Sequence, residues 1–343
     1  MKTDNDFDRR RRDGYSSAKG GPESMRVLLL LIGALLAAAA NAQDAWPSRP
    51  LKMVVAYPPG ALTDLLGRAV AERLSPALKQ PIIIDNKPGV GTLLAADQVK
   101  NAPADGYTLM MVTSTTLGIS PALYKKPAID PVKDFAPVSQ IGFVDFFLIA
   151  SPSFPAKNVK DMLALVKASP GKYNYASVGS GSPHHLFMEV LKKDFGLDIK
   201  HVPYKGSLLA LPDLMSGNVQ VMFIDATVAV PQIKAGKVIG LGTSSAKQTA
   251  LVPEVPPVAR SVPGFDWQAW QGVAVAAGTP KAIVQRLNAE MQKFQSTPEF
   301  RAILGRFGME PSPPNTPEQF AQVVKTDAAR WAAAVQASGA KVD

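Results

Sequence analysis

The sequence predicts an α/β protein built as two lobes. The chain has 343 residues, 46% hydrophobic and 19% charged, which is enough for two sizeable cores. Two successive stretches alternate short apolar runs with segments of helical periodicity. Several of those runs end in loops rich in Gly, Ser and Thr. In an open parallel sheet such loops gather at the carboxyl edge, where ligands bind.

The first lobe opens with a strand, Leu51 to Ala56, cut off by Pro58, Pro59 and Gly60. Thr63 and Asp64 are helix-entry residues, and Leu66, Val70 and Leu74 follow at helical spacing. A helix start at the end of a strand offers free N–H groups and a positive dipole end, a small anion site. Pro81 to Asp85 is a second strand, closed by the turn Asn86 to Gly89, and Gly91 to Asn101 is helical. Tyr107 to Val112 is a third strand that empties into a hydroxyl-rich loop, Thr113 to Thr116. Val138 to Ala150 is long and apolar and reads as strand material passing between lobes.

The second lobe repeats the pattern. Lys160 to Ala168 is helical, and Tyr173 to Ser177 is a strand. The loop Gly179 to Ser182 leads into a helix over Pro183 to Phe195. Ile199 to Pro203, Val219 to Ile224 and Val238 to Thr243 are strands, with helices ending at Leu214 and spanning Val230 to Ala235. Pro253 to Pro263 is irregular, and Gly272 to Ala277 returns as a strand. Thr279 as cap and Pro280 as first residue start a helix, and Thr316 to Gln319 starts the last one as a capping box.

Composition narrows the function. The chain holds no cysteine and three histidines, His184, His185 and His201, so disulfides, thiolate metal sites and cofactor attachment are not expected. Met25 to Ala42 is a short basic start, an apolar run and a small-residue end, a secretory signal peptide cleaved after Ala42. Residues 1–24 read as a mis-start or an extension, with Met25 as the true start. Residues 1–42 carry seven Lys/Arg and five Asp/Glu, leaving 30 against 23, or +7, in the mature chain. That suits an anionic ligand through general steering. The lysines are scattered and no basic stripe remains, so nucleic-acid binding is not expected.

Enzyme motifs are nearly absent. There is no Gly-x-Ser-x-Gly, no phosphate loop and no metalloprotease histidine pair. His185 reads as a ligand contact or as a hydrogen-bonded capping residue. Asp64 and Asp225 each follow a strand and read as helix caps or as acceptors for a ligand donor. A hydrolase using Ser182 and His185 stays open, although both lie on one helix start, a poor geometry for nucleophile and base.

The ordered set of short motifs is specific. It includes Tyr57-Pro-Pro-Gly60 with Thr63-Asp64, Asn86-Lys-Pro-Gly89, Pro103-Ala-Asp-Gly-Tyr107 and Pro121-Ala-Leu-Tyr124. It continues with Gly179-Ser-Gly-Ser182 and His185-Leu186, Val202-Pro-Tyr-Lys-Gly206 and Val221-Met-Phe223. Across the mature chain this resembles the Bug family, the extracytoplasmic solute receptors of tripartite tricarboxylate transporters. The resemblance implies a two-lobed periplasmic-binding-protein fold of the Venus flytrap, type II-like kind, with two crossover strands. Residues 46–146 plus 265–343 would form domain 1 and 147–264 domain 2, hinged near 147 and 270.

It also implies a monomeric, non-enzymatic receptor that hands a small organic carboxylate to membrane permease subunits. Dicarboxylates, tricarboxylates, amino acids and aromatic acids all fit. A sensory protein presenting its ligand to a signalling partner is the alternative. The ligand contacts carried over are Tyr57, Ala61, Thr63, Asp64, Ser114, Thr115, Thr116, Ser180, Ser182, His185 and Asp225. Two departures stand out. Ala61 and Leu62 occupy places where the family has glycines, which adds Leu62 to the candidate contacts. Ile224 follows Met222-Phe223 where the family often has an acidic residue, and Asp225 comes one later.

Overall fold

The computed structural model describes residues 46–125 and 128–340. The expected signal peptide at 25–42 and the segment 1–24 lie outside the described residues. Residues 49–343 contain two mixed sheets within one compact unit.

The first sheet has six strands in the order β11-β4-β10-β3-β1-β2. These are β1 (Leu51–Val55), β2 (Ile82–Asn86), β3 (Thr108–Thr113), β4 (Phe135–Val144), β10 (Ala269–Ala276) and β11 (Met309–Pro311). β1 pairs in parallel with β2 and β3, while β10 runs antiparallel between β3 and β4. The second sheet has five strands in the order β7-β6-β8-β5-β9. They are β5 (Phe146–Ala150), β6 (Asn174–Ser177), β7 (Lys200–Pro203), β8 (Val221–Asp225) and β9 (Ile239–Thr243). Here β6 is parallel to β7 and β8, and β5 is antiparallel between β8 and β9.

Among the described residues, ten α-helices cover the sheets. They are α1 (Leu62–Leu78), α2 (Leu93–Lys100), α3 (Ser120–Leu123), α4 (Val159–Lys167) and α5 (Pro183–Phe195), then α6 (Ser207–Ser216), α7 (Ala226–Lys234), α8 (Lys281–Gln295), α9 (Pro298–Arg306) and α10 (Pro317–Ser338). Apolar faces build a core against each sheet. Val54, Met110, Val112, Ala274 and Phe320 meet in one, and Phe147, Ile149, Leu214, Met222 and Ile224 in the other. Each large apolar side chain buried this way contributes about 1.5–3 kcal/mol. α10 also reaches the second lobe, where Trp331 stacks on Phe187 of α5 at 5.8 Å.

The strand material over Val138 to Ala150 crosses from one sheet to the other as expected, as two strands broken at Asp145. Several other local expectations are corrected. The loop after β3 is a wide helical turn over Thr115–Ile119 leading into α3, with the Thr116 N–H bonded to the Thr113 side chain. α7 starts at Ala226, four residues earlier than its apolar pattern indicates, and absorbs Pro231. Pro280 is the cap of α8 and Thr279 instead donates back to the Ala276 carbonyl at 2.7 Å. α9 and the short edge strand β11 were not expected. The capping box of α10 forms as predicted, with both reciprocal hydrogen bonds present.

Candidate functional site

A cleft of about 950 Å³ lies between the two sheets. Its walls are the carboxyl ends of β1, β3, β6 and β8 and the helices that follow them. The parallel topology thereby brings several helix N-termini to one cavity, which makes it favourable for an anion.

In the first lobe, Tyr57 stands at the end of β1. Its hydroxyl lies 3.4 Å from Thr113 Oγ1, which is 3.1 Å from Thr116 Oγ1. Burial pushes the Tyr57 phenol up, and the hydroxyls of Thr113 and Thr115 only partly offset this, so Tyr57 is a neutral donor. The cap of α1 is Ala61, which has no side-chain acceptor for the first N–H groups of the helix. Those groups border the cleft at Leu62 and Thr63.

The neighbouring turn is strained. Gly89, Val90, Gly91 and Thr92 have φ of 137°, 46°, 57° and 77°. For the β-branched Val90 and Thr92, such angles cost about 1–3 kcal/mol each, and strain of this kind clusters at binding sites. All four residues line the cleft.

In the second lobe, the Gly179–Ser182 turn is fixed from within and from behind. Ser182 Oγ donates to the Gly179 carbonyl at 2.7 Å, and His185 Nδ1 accepts the Gly181 N–H at 3.1 Å. The His185 ring stacks on His201 with centroids 4.1 Å apart, and His201 Nε2 sits 2.6 Å from Ser177 Oγ. Burial lowers the pKa of His185, and burial with the neighbouring His185 lowers that of His201 to about 4. Both rings are therefore neutral at pH 7, and His185 is free to accept. Asp225 ends β8. It accepts from Ser207 Oγ at 3.2 Å and from Thr227 Oγ1, with His184 Nε2 at 4.0 Å. Burial opposes its charge, but His184, Thr227 and Ser207 outweigh it and hold the carboxyl below the usual range.

Four residues of the cleft wall carry buried polar side-chain atoms with no partner among the described residues: Thr92 Oγ1, Ser114 Oγ, Gln271 Oε1 and both ring nitrogens of His184. Buried polar groups are ordinarily hydrogen-bonded, so the cleft wall holds unused hydrogen-bonding capacity. Among the described residues, no cluster of His, Asp and Glu suits a metal ion.

The family described as "Tripartite tricarboxylate transporter family receptor" matches residues 66–340. The chain belongs to this family. Solute-binding receptors of the family are periplasmic binding proteins and not enzymes. A relative from Pseudomonas sp. strain P51, "UPF0065 protein in tcbD-tcbE intergenic region", is 33% identical over 89% of this chain and 92% of its own length. Solved structures agree on the two-lobed fold. The periplasmic binding protein BugD matches with a TM-score of 0.74 at 30% identity, covering 86% of this chain and 99% of its own. Rpa4515 of R. palustris, solved with adipate, matches with a TM-score of 0.77 at 32% identity, covering 87% and 100%. MatC of Rhodopseudomonas palustris, with bound malate, matches at 0.73 and 33%, covering 84% and 100%.

In this receptor, nine of the residues named from sequence line the cleft: Tyr57, Ala61, Leu62, Thr63, Ser114, Thr115, Ser180, Ser182 and Asp225. Three stand one layer behind. Asp64 is buried and accepts from Gly60 N, Arg68 Nε and Asn86 Nδ2 at 2.8, 3.0 and 2.9 Å, which fixes the entry of α1. Thr116 is buried against Thr113, and His185 braces the Gly181 N–H. Sequence reasoning did not find Thr92, His184 or Gln271. The Gly89 and Gly91 pair around Val90 was the available signal for Thr92. His184 was passed over for its neighbour, and Gln271 lies inside an apolar strand.

Proposed function

We propose that this receptor captures a small organic carboxylate between its lobes and delivers it to the membrane permease subunits of a tripartite tricarboxylate-type transporter. The observation that carries this reading is the pair of buried, unpartnered hydroxyls of Thr92 and Ser114 beside the uncapped start of α1. Hydroxyl and backbone donors in a partly dry cleft suit a carboxylate, each charge-assisted hydrogen bond contributing about 1.5–3 kcal/mol. The adipate and malate bound to two relatives support the same class.

Tyr57, Thr63, Ser114, Thr115, Ser180 and Ser182 supply the polar contacts, Ala61 and Leu62 shape the mouth, and Asp64, Thr116 and His185 hold the turns in place. Residues 46–146 with 265–343 move against 147–264 about the crossings near 147 and 270. The signal peptide at 25–42 directs the chain to the periplasm, where it works as a monomer.

A thermal-shift screen of mono-, di- and tricarboxylates, amino acids and aromatic acids, with sugars and metal cations as controls, tests this. A carboxylate at a hundred times its Kd stabilises by about 2.7 kcal/mol. Stabilisation by a sugar or cation alone overturns the reading. Deleting the receptor gene is expected to abolish uptake of the same carboxylate through the permease.

A further inference from the structure

The cleft wall is sparing with charge. Among the described residues, Asp225 is its one carboxylate and Lys205, on the exposed rim, its one lysine or arginine. An ionised carboxylate inside an anion receptor repels the ligand it should welcome, unless it faces a different part of that ligand.

The surroundings of Asp225 point to such a role. Ser207 Oγ donates to Oδ2 at 3.2 Å and Thr227 Oγ1 donates to Oδ1. Each carboxylate oxygen accepts about two hydrogen bonds, so each keeps one lone-pair site for a further donor. Asp225 is the cap residue of α7, yet its side chain makes no capping bond to that helix, so its acceptors are not consumed there.

His184 lies behind. Its side chain is 10% exposed, its ring packs edge-on against Phe146 with centroids 5.0 Å apart, and both ring nitrogens lack a hydrogen-bond partner among the described residues. Nε2 is 4.0 Å from Asp225 Oδ2, beyond hydrogen-bond range but close enough for a small side-chain adjustment to make one. A buried histidine with unpartnered nitrogens next to a carboxylate in a ligand cleft is a positioning donor awaiting its acceptor.

We propose that Asp225, positioned by His184, reads a hydrogen-bond donor on the ligand, so that the receptor selects carboxylates bearing a hydroxyl or ammonium group over otherwise identical ones without it. The inference rests on the carboxylate reading above and deepens it. The anionic end of the ligand lies toward the helix starts and hydroxyls of the cleft, and the donor lies toward Asp225.

Matched triplets measured by isothermal titration calorimetry test it. The probes are succinate, malate and aspartate; adipate, 2-hydroxyadipate and 2-aminoadipate; and hexanoate with its 6-hydroxy and 6-amino forms. In at least one triplet a donor-bearing member is expected to bind at least tenfold tighter than the unsubstituted acid. Asp225→Leu is expected to erase the preference. Asp225→Asn separates the two donors: it erases an ammonium preference and leaves a hydroxyl preference within about threefold, since the amide oxygen still accepts. His184→Phe is expected to reduce the preference and His184→Gln, which keeps an N–H, to restore it at equal Tm.

Equal binding of all members in every triplet that binds, or a preference that survives Asp225→Leu, overturns the proposal. So does a His184→Phe variant with unchanged selectivity, for the positioning role. Silence from every carboxylate in these triplets and in the wider screen overturns the underlying functional reading as well, and is distinct because no triplet then gives a signal.

Discussion

Asp145 Oδ1 accepts a hydrogen bond from Gln268 Nε2 at 3.3 Å. The two residues belong to the two stretches by which the chain passes from one sheet to the other, Asp145 between β4 and β5 and Gln268 just before β10. The backbone ties the same place together: the Asp145 carbonyl accepts from Ala226 N at 3.0 Å, and Trp267 N donates to the Ser244 carbonyl at 2.9 Å. Any hinge motion between the lobes works against this knot.

Asp145 is 1% exposed, and its Oδ2 has no partner among the described residues. Burial, reinforced by nearby Glu310, raises its pKa from 3.8 to about 6. A raised carboxyl favours the folded state when protonated, so its contribution is full below about pH 4 and is lost as the pH rises through about 6. Asp145→Asn keeps the bond to Gln268 without the buried charge. It is expected to raise stability at pH 7.5 by up to about 3 kcal/mol and to have little effect near pH 4. Urea melts at both pH values check this, and an equal effect at both refutes it.

The stacked pair His185 and His201 has the opposite sign. His201 is depressed to about 4 and His185 is also lowered, with Glu189, Lys192 and Tyr175 beside them. A depressed histidine stabilises the fold above about pH 6.5 and loses that contribution as the pH falls toward 4. Because His201 is partly open to solvent, we expect about 1–2 kcal/mol. Protonating His185 would also remove the acceptor for the Gly181 N–H. Ligand affinity should therefore fall as the pH drops well below the ordinary histidine value of about 6.5. His185→Gln should flatten that fall, which titration calorimetry across the range would reveal.

Leu123 and Gly181 define how closely the lobes approach. Gly181 has φ of 77°, and a Cβ built on it would lie 2.1 Å from Leu123 Cδ2. Gly181→Ala is expected to hold the lobes apart and to weaken ligand binding at least tenfold, about 1.4 kcal/mol. Adding Leu123→Ala removes the clash and should recover part of the loss. Without recovery in the double variant, backbone strain at the positive φ is the whole effect.

Much of this was legible in the chain itself. The βα alternation and the Pro-Pro-Gly break fixed where β1 ends and α1 begins, and nine of the twelve named residues line the cleft. The rest depended on tertiary placement. Asp64 looks like a contact from its motif, but at the third position of α1 its carboxylate turns back to the Gly60 N–H and to Arg68. His184 and His185 are adjacent, and only the helix phase decides that the first borders the cleft while the second braces the turn behind it. Gln271 sits in an eight-residue strand buried throughout, so its polar end gives no periodic signal. The break at Asp145 was hidden because apolar residues run on both sides of it.

Asp327 joins two tryptophans with different duties. Its Oδ2 accepts from Trp270 Nε1 at 2.6 Å and from Trp331 Nε1 at 2.8 Å. Trp270 borders the cleft, and Trp331 fills the junction between α10 and α5 against Phe187. Burial raises the Asp327 pKa, although both indoles and Arg330 favour its charge, so the pair of N–H bonds is what justifies an acid here. Asp327→Leu leaves two indole N–H groups without an acceptor and is expected to cost about 2–4 kcal/mol. Asp327→Asn keeps one acceptor and should cost about half as much. Because Trp270 borders the cleft, loss of its N–H acceptor should also lower ligand affinity. A stability loss with unchanged affinity and unchanged tryptophan emission would assign Asp327 to the lobe junction alone.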